Sequence, residues 1–357
     1  MKPEYKSFLL HLIRLGVGVE SEAALPEGID WTALLDLADG QGLAAVCTDG
    51  ISMLPPGFGP QKFEMMEWIG LALQDEDKYS NQWRAMNRMA SLFHQNAIRT
   101  YVLKGVVVAE CYPKPERRAS ADMDCFLLPD CGVFDSWALG NDLIKAAGFE
   151  VDSDYYKNST FWLKDLMVES HRFLIPFRGN DRLAALEKRL QAMLRQDGGE
   201  DCFEGTWLYR PPVMMSAVFL IEHAYSHFLH EGLNWRHVLD WMLFSRRHRD
   251  EIDWPGLDAM IDEFGFRKFY DSYFKLGRYL LGELGEDDLS QNDRRMLDDI
   301  WAPLDVHEDV HGLGGKLALA GNTWRARWKY RLFTDITWLQ ALWIQVRGVL
   351  FDKNPKI

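Results

Sequence analysis

Residues 117–128 read RRASADMDCFLL, and the two acids Asp122 and Asp124 stand one residue apart at the head of an apolar run that Pro129 closes. Successive side chains of a strand point to opposite faces, so both carboxylates share one face while Met123 and Cys125 take the other. Like charges at that spacing repel, and a divalent cation is the usual relief. Mg²⁺ prefers oxygen ligands and keeps waters and phosphate oxygens in its shell, so such a pair suits a nucleotide phosphate. Taken alone, a DxD pair is more often a solvated strand start. Its neighbours decide the matter.

Leu103-Lys104-Gly105 ends the preceding β-branched and aromatic stretch, TYVLKG. Gly105 lets backbone approach a phosphate, and Lys104 brings positive charge. Arg118 lies four residues before Asp122, where it is expected to meet an anion beside the metal. Further on, MVESHRFL sets Glu169 and His171 at i and i+2, on one face of another expected strand. Glu169 is the candidate third carboxylate.

Leu103-Lys104-Gly105, Tyr112-Pro113, Arg118 and Asp122-x-Asp124, followed by Glu169-x-His171, resemble the nucleotidyltransferase superfamily. More narrowly they resemble an uncharacterised bacterial nucleotidyltransferase-like family with the motif LKG-YP-R-DxD. The resemblance implies a mixed sheet, Mg²⁺ or Mn²⁺ held by Asp122, Asp124 and Glu169, and an NTP whose nucleoside monophosphate passes to a hydroxyl of a small molecule or protein. It implies Glu169 as the acid that helps activate that hydroxyl. Lys104, Gly105, Arg118 and His171 become nucleotide-binding candidates. Val106 stands where many members place a serine after the glycine. That departure keeps a second reading open, a catalytically inactive binding or scaffold module of the same fold.

Hydrophobic periodicity frames this centre with helices. Residues 61–95 carry Trp83, Met86, Met89, Leu92 and Phe93 at helical spacing. Asp30 is the expected N-cap of a helix through Trp31, Leu34, Leu35 and Ala38. VMMSAVFLIEHAYSHFLH reads as one helix, NWRHVLDWMLFSRRH as a second capped by Asn234, and SQNDRRMLDDIW opens on a capping box. STFWLKDLMVESHRFLIP reads as two strands joined at Lys164-Asp165. The expected class is α+β, mostly helical: a helical region over 1–98, a nucleotidyltransferase-like α/β core over 99–210, and a helical region over 211–357. Strands are expected only between about 99 and 178.

His223, His227 and His230 fall at i, i+4 and i+7 of one expected helix, a spacing that can bind zinc. HExxH is absent, so a zinc hydrolase ranks behind histidines that line the pocket, with Asp240 of the next helix placed to orient one of them. The basic aromatic segment WRARWKYR, residues 324–331, and the helix with Trp338, Leu342 and Trp343 suit packing on the core better than docking on a membrane surface.

The chain has 357 residues and a formal charge of −13, which disfavours broad contact with nucleic acid. Five scattered cysteines without CxxC spacing point away from a disulfide framework and toward a reducing cytoplasm. No signal-peptide pattern and no charge-free stretch of membrane-spanning length stands out. GxSxG, Walker A and Rossmann glycine patterns are absent.

Overall fold

The structure, a computed structural model, describes residues 3–19, 25–196, 201–302 and 324–351. The chain opens with helices α1 (Pro3–Gly16), α2 (Trp31–Gly40), α3 (Ala44–Ile51) and the long α4 (Lys62–His94). Asp30 caps α2 as expected, its side chain accepting from the Ala33 N–H.

A mixed six-stranded sheet follows, β1 (Ile98–Val102), β2 (Asp122–Pro129), β3 (Val151–Asp152), β4 (Asn158–Leu163), β5 (Leu166–His171) and β6 (Leu208–Tyr209), in the spatial order β3-β4-β5-β2-β1-β6. The β4–β5 hairpin turns at Lys164, whose φ of 63° is the left-handed conformation a two-residue turn demands. β2 and β5 pair in parallel at the centre, and β1 runs antiparallel to β2. One strand lies outside the expected window. β6, beyond residue 178, adds in parallel to the edge at β1, a two-residue pairing too short to leave a periodic signal.

Helices α5 (Val106–Ala109) and α6 (Ser136–Ala146) sit within the sheet region, and α7 (Asp181–Gln196) lies between β5 and β6. Then come α8 (Val213–His230), α9 (Trp235–Arg247), α10 (Trp254–Glu263), α11 (Arg267–Leu280) and α12 (Gln291–Ile300). Asn234 and Ser290 cap α9 and α12 as the sequence predicts.

The alternation of β2 sorts its side chains between two cores. Met123, Cys125 and Leu127 face the rear, under Met86, Met89 and Phe93 of α4 and Ile144 of α6. Each large apolar side chain buried there contributes roughly 1.5–3 kcal/mol. α6 packs so close that a Cβ at Gly140 would meet Leu127 Cδ1 at 2.4 Å. On the front face Phe126 and Leu128 join a cluster that continues through α8, α9 and α11 to the N-terminal helices. Arg14 donates to the Leu280 and Tyr279 carbonyls, tying the first helix to α11. Asp122 and Asp124 occupy the front face where that apolar packing stops.

The basic aromatic segment packs in part. Lys329, in the helix Arg327–Phe333, is buried, donates to the Phe228 carbonyl at 2.7 Å and pairs with Asp299 at 2.7 Å. Arg327 lies over the Trp324 ring. In the helix Trp338–Phe351, Trp338 meets Trp324 edge-on while Trp343 stays 63% exposed. No helix among the described residues is long and apolar enough to cross a membrane.

Candidate active site

The parallel register of β2 and β5 builds the site. It places Asp122 beside Met167, Asp124 beside Glu169 and Phe126 beside His171. Asp122, Asp124, Glu169 and His171 therefore share the front face, and all four line a cleft of about 1680 Å³. α8 forms the opposite wall through Phe219, Glu222, His223 and His227.

Lys104, just past β1, reaches between the two acids of β2. Its Nζ lies 3.4 Å from Asp122 Oδ2 and 3.1 Å from Asp124 Oδ2, and 3.4 Å from His223 Nε2. Burial works against the ammonium, but the two carboxylates outweigh it and hold its pKa well above the usual lysine value. Asp124 is nearly sealed, at 1% exposure. Burial alone would raise its pKa; the Lys104 charge and the His171 hydrogen bond pull it below the ordinary carboxylate range. His171 Nε2 donates to Asp124 Oδ1 at 2.8 Å and its Nδ1 donates to the Phe173 carbonyl at 3.2 Å. Both partners are acceptors, so the ring carries both protons and is an imidazolium. Burial and the Lys157 charge oppose that state, and the hydrogen bonds to Asp124 and Glu169 overcome them. Glu169 Oε2 stands 3.5 Å from the same nitrogen.

A divalent cation fits this donor set. One ligand atom each from Asp124, Glu169 and His171 falls within 4.8 Å of the others. His171 Nε2 spends its proton on Asp124, so a cation here would fall to the carboxylates. Asp124 Oδ2 is buried against the Lys104 ammonium, 3.1 Å away. Asp122 Oδ2 converges with it on the single point that the Lys104 ammonium holds. Three hard oxygen donors on one face suit Mg²⁺ or Mn²⁺ better than a soft metal.

Three expected site residues lie elsewhere. Arg118 does not meet an anion in the cleft. It is 5% exposed and its guanidinium forks onto Asp240, Nε to Oδ1 at 2.8 Å and Nη2 to Oδ2 at 2.7 Å. Asp240 in turn does not orient a histidine, because it is filled by Arg118 and by the Tyr112 hydroxyl at 2.7 Å. The reason lies in α9, whose buried face carries Asp240 toward the Tyr112–Arg118 segment rather than toward α8. Gly105 does not line the cleft either. Its φ of 63° turns the chain from β1 into α5, and Val106 behind it is buried in the rear core, which is why an apolar residue stands there.

The histidines group differently from the expected i, i+4, i+7 row. His223 and His227 of α8 and His237 of α9 bring ring nitrogens within 4.8 Å of one another, while His230 lines the cleft apart from them, its Nδ1 donating to the Ser226 carbonyl. The tautomers work against zinc. His237 Nδ1 accepts from the Asn234 N–H, so a neutral ring keeps its proton on Nε2, where a ligand needs a lone pair. His223 Nε2 faces the Lys104 ammonium. Burial, together with the Lys104 charge at His223 and the Arg236 charge at His237, keeps both rings neutral.

A family model described as uncharacterised nucleotidyltransferase matches residues 27–282. The chain belongs to that family. The match covers the sheet, the cleft and both walls, and it supports nucleotidyl transfer as the general activity and a nucleotide as substrate. No curated protein and no solved structure matches the chain.

Three residues of the cleft region escaped the sequence reading. Glu222 is 3% exposed, lines the cleft and makes no hydrogen bond or ion pair among the described residues. Burial pushes its carboxyl up to about 8, with Lys157 opposing. A lone acid inside the apolar run AVFLIEHAY was a readable signal for it. Lys157 sits in a loop with no periodic pattern. His237 stands at the third position of α9, where it also completes that helix's cap.

Proposed function

We propose that this protein is a Mg²⁺- or Mn²⁺-dependent enzyme that transfers a nucleoside monophosphate from an NTP to a hydroxyl of a small molecule or protein, the bond between the α- and β-phosphates breaking and pyrophosphate leaving. The observation that carries the reading is the register of β2 against β5, which brings Asp122, Asp124 and Glu169 to one face of one cleft. Asp122, Asp124 and Glu169 would hold a divalent cation, which would supply charge to neutralise the phosphates and polarise the phosphorus that is attacked. His171 holds Asp124 ionised and fixes its orientation. Glu169, a quarter exposed, lies at the cleft surface with an oxygen able to take the proton of the acceptor hydroxyl. The α8 wall narrows access for water and leaves room for a nucleotide and a small acceptor.

One observation favours a second reading, a binding module without turnover. The Lys104 ammonium already bridges Asp122 and Asp124, so the cluster carries its own cation. Calorimetric titration of Mn²⁺ and each of the four NTPs into the wild type and Asp124→Asn separates the two. The enzyme reading expects metal-dependent NTP binding that the variant loses; absence of metal binding in the wild type, with nucleotide binding retained, would leave the module.

A further inference from the structure

We infer that Lys157, at the entry to β4, is the cation that holds the polyphosphate of the nucleotide; the assignment rests on the nucleotide reading above. The two cations that the sequence offers for this task are engaged. Lys104 is held between Asp122 and Asp124, and Arg118 is sealed onto Asp240. Lys157 lines the same cleft, and among the described residues its ammonium has no ion pair and no hydrogen bond. An ammonium with no ion pair, facing the cleft, is placed to take an anion that enters it.

Its position is fixed from behind. The Lys157 carbonyl accepts from the N–H groups of both Arg172 and Phe173, at 2.8 and 3.0 Å, which pins its backbone to the end of β5. From there it lines the cleft together with Glu169 and His171 of the sheet and Glu222 and His223 of α8. Glu222 does not neutralise it, because burial keeps that carboxyl largely protonated at neutral pH. The cleft thus has a carboxylate side at Asp122 and Asp124 and a lysine side at Lys157. A metal-bound polyphosphate matches both, with its metal toward the acids and its free oxygens toward Lys157.

The test is calorimetric titration of the full chain, with Mn²⁺ present, by ATP, CTP, GTP and UTP, by the monophosphate of the tightest base, and by inorganic tripolyphosphate. Wild type, Lys157→Met and Lys157→Arg are compared, with melting curves to confirm that each variant folds. A charge-assisted contact of this kind is worth at least about tenfold in affinity. Lys157→Met should lose that factor for the best NTP and for tripolyphosphate and much less for the monophosphate, and Lys157→Arg should keep binding. Equal NTP and tripolyphosphate affinities in wild type and Lys157→Met would overturn the assignment and leave the nucleotide reading standing. Tripolyphosphate binding that depends on Lys157, with no NTP binding, would uphold the cation and overturn the nucleotide reading. A wild type that binds neither probe would overturn both.

Discussion

Two ionic clusters lie close together in this protein, and they differ in what seals them. Arg118, Asp240 and Tyr112 form a closed set. The Arg118 and Asp240 side chains are 5% and 7% exposed, and every charged oxygen has a donor. Lys104, Asp122, Asp124, Glu169 and His171 form an open set, with Asp122 and Glu169 each 25% exposed toward the cleft. The closed set has no vacancy for a ligand and joins the β1–β2 connection to α9. The open set has three carboxylates against two protein cations and a cleft in front of it. Similar residue types become a fastening in one place and a site in the other, according to whether their partners are complete.

The largest expected effect breaks the closed set. Asp240→Ala leaves the Arg118 guanidinium buried without a counter-charge and should cost about 3–5 kcal/mol in a urea unfolding titration. A loss below about 1 kcal/mol would mean that water reaches the pair and that it is not sealed.

The next effect depends on pH. Glu222 has an ordinary value of 4.5 and a folded value of about 8. Between those values the folded chain keeps a proton that the unfolded chain has released, so this group's contribution to stability is complete below 4.5 and is lost as pH rises through about 8. Glu222→Gln removes the titration. Its stability relative to wild type should be near zero at the acid end and grow toward the alkaline end, up to on the order of 5 kcal/mol. Melting curves across that range are the check, and a pH-independent difference would contradict the burial of this carboxyl.

The smallest effect concerns the open set. Asp122→Asn relieves repulsion but also weakens the contact with Lys104, so stability in metal-free buffer should change by less than about 1 kcal/mol. The same variant should lose most of the thermal shift that Mn²⁺ and NTP give the wild type. A large loss of stability without metal would move Asp122 into the fastening class.

The spacing of Asp122 and Asp124 on β2, and of Glu169 and His171 on β5, was legible because period-2 geometry alone puts such pairs on one face. Their meeting across strands followed the family pattern, since no local rule sets which strands pair. Helices with strong periodicity or caps, such as α2, α4, α9 and α12, were legible for the same local reason. Arg118 was not. Its partner Asp240 lies 122 residues away in sequence, and only tertiary packing makes the fork. Lys157 is defined by the absence of a partner, which sequence cannot display. The two-residue strand β6 and the turn of His237 toward α8 are likewise products of packing rather than of local propensity.

The central claim is that the open carboxylates hold a divalent metal and, through it, a nucleotide. The most direct measurement is Mn²⁺ binding followed by electron paramagnetic resonance, with and without NTP, on wild type, Asp124→Asn and Asp240→Asn. The account predicts that the wild type binds Mn²⁺, that NTP tightens it, that Asp124→Asn loses at least about tenfold in affinity, and that folded Asp240→Asn keeps it. Equal Mn²⁺ affinity in wild type and Asp124→Asn, or no Mn²⁺ binding by the wild type with any NTP, would contradict it.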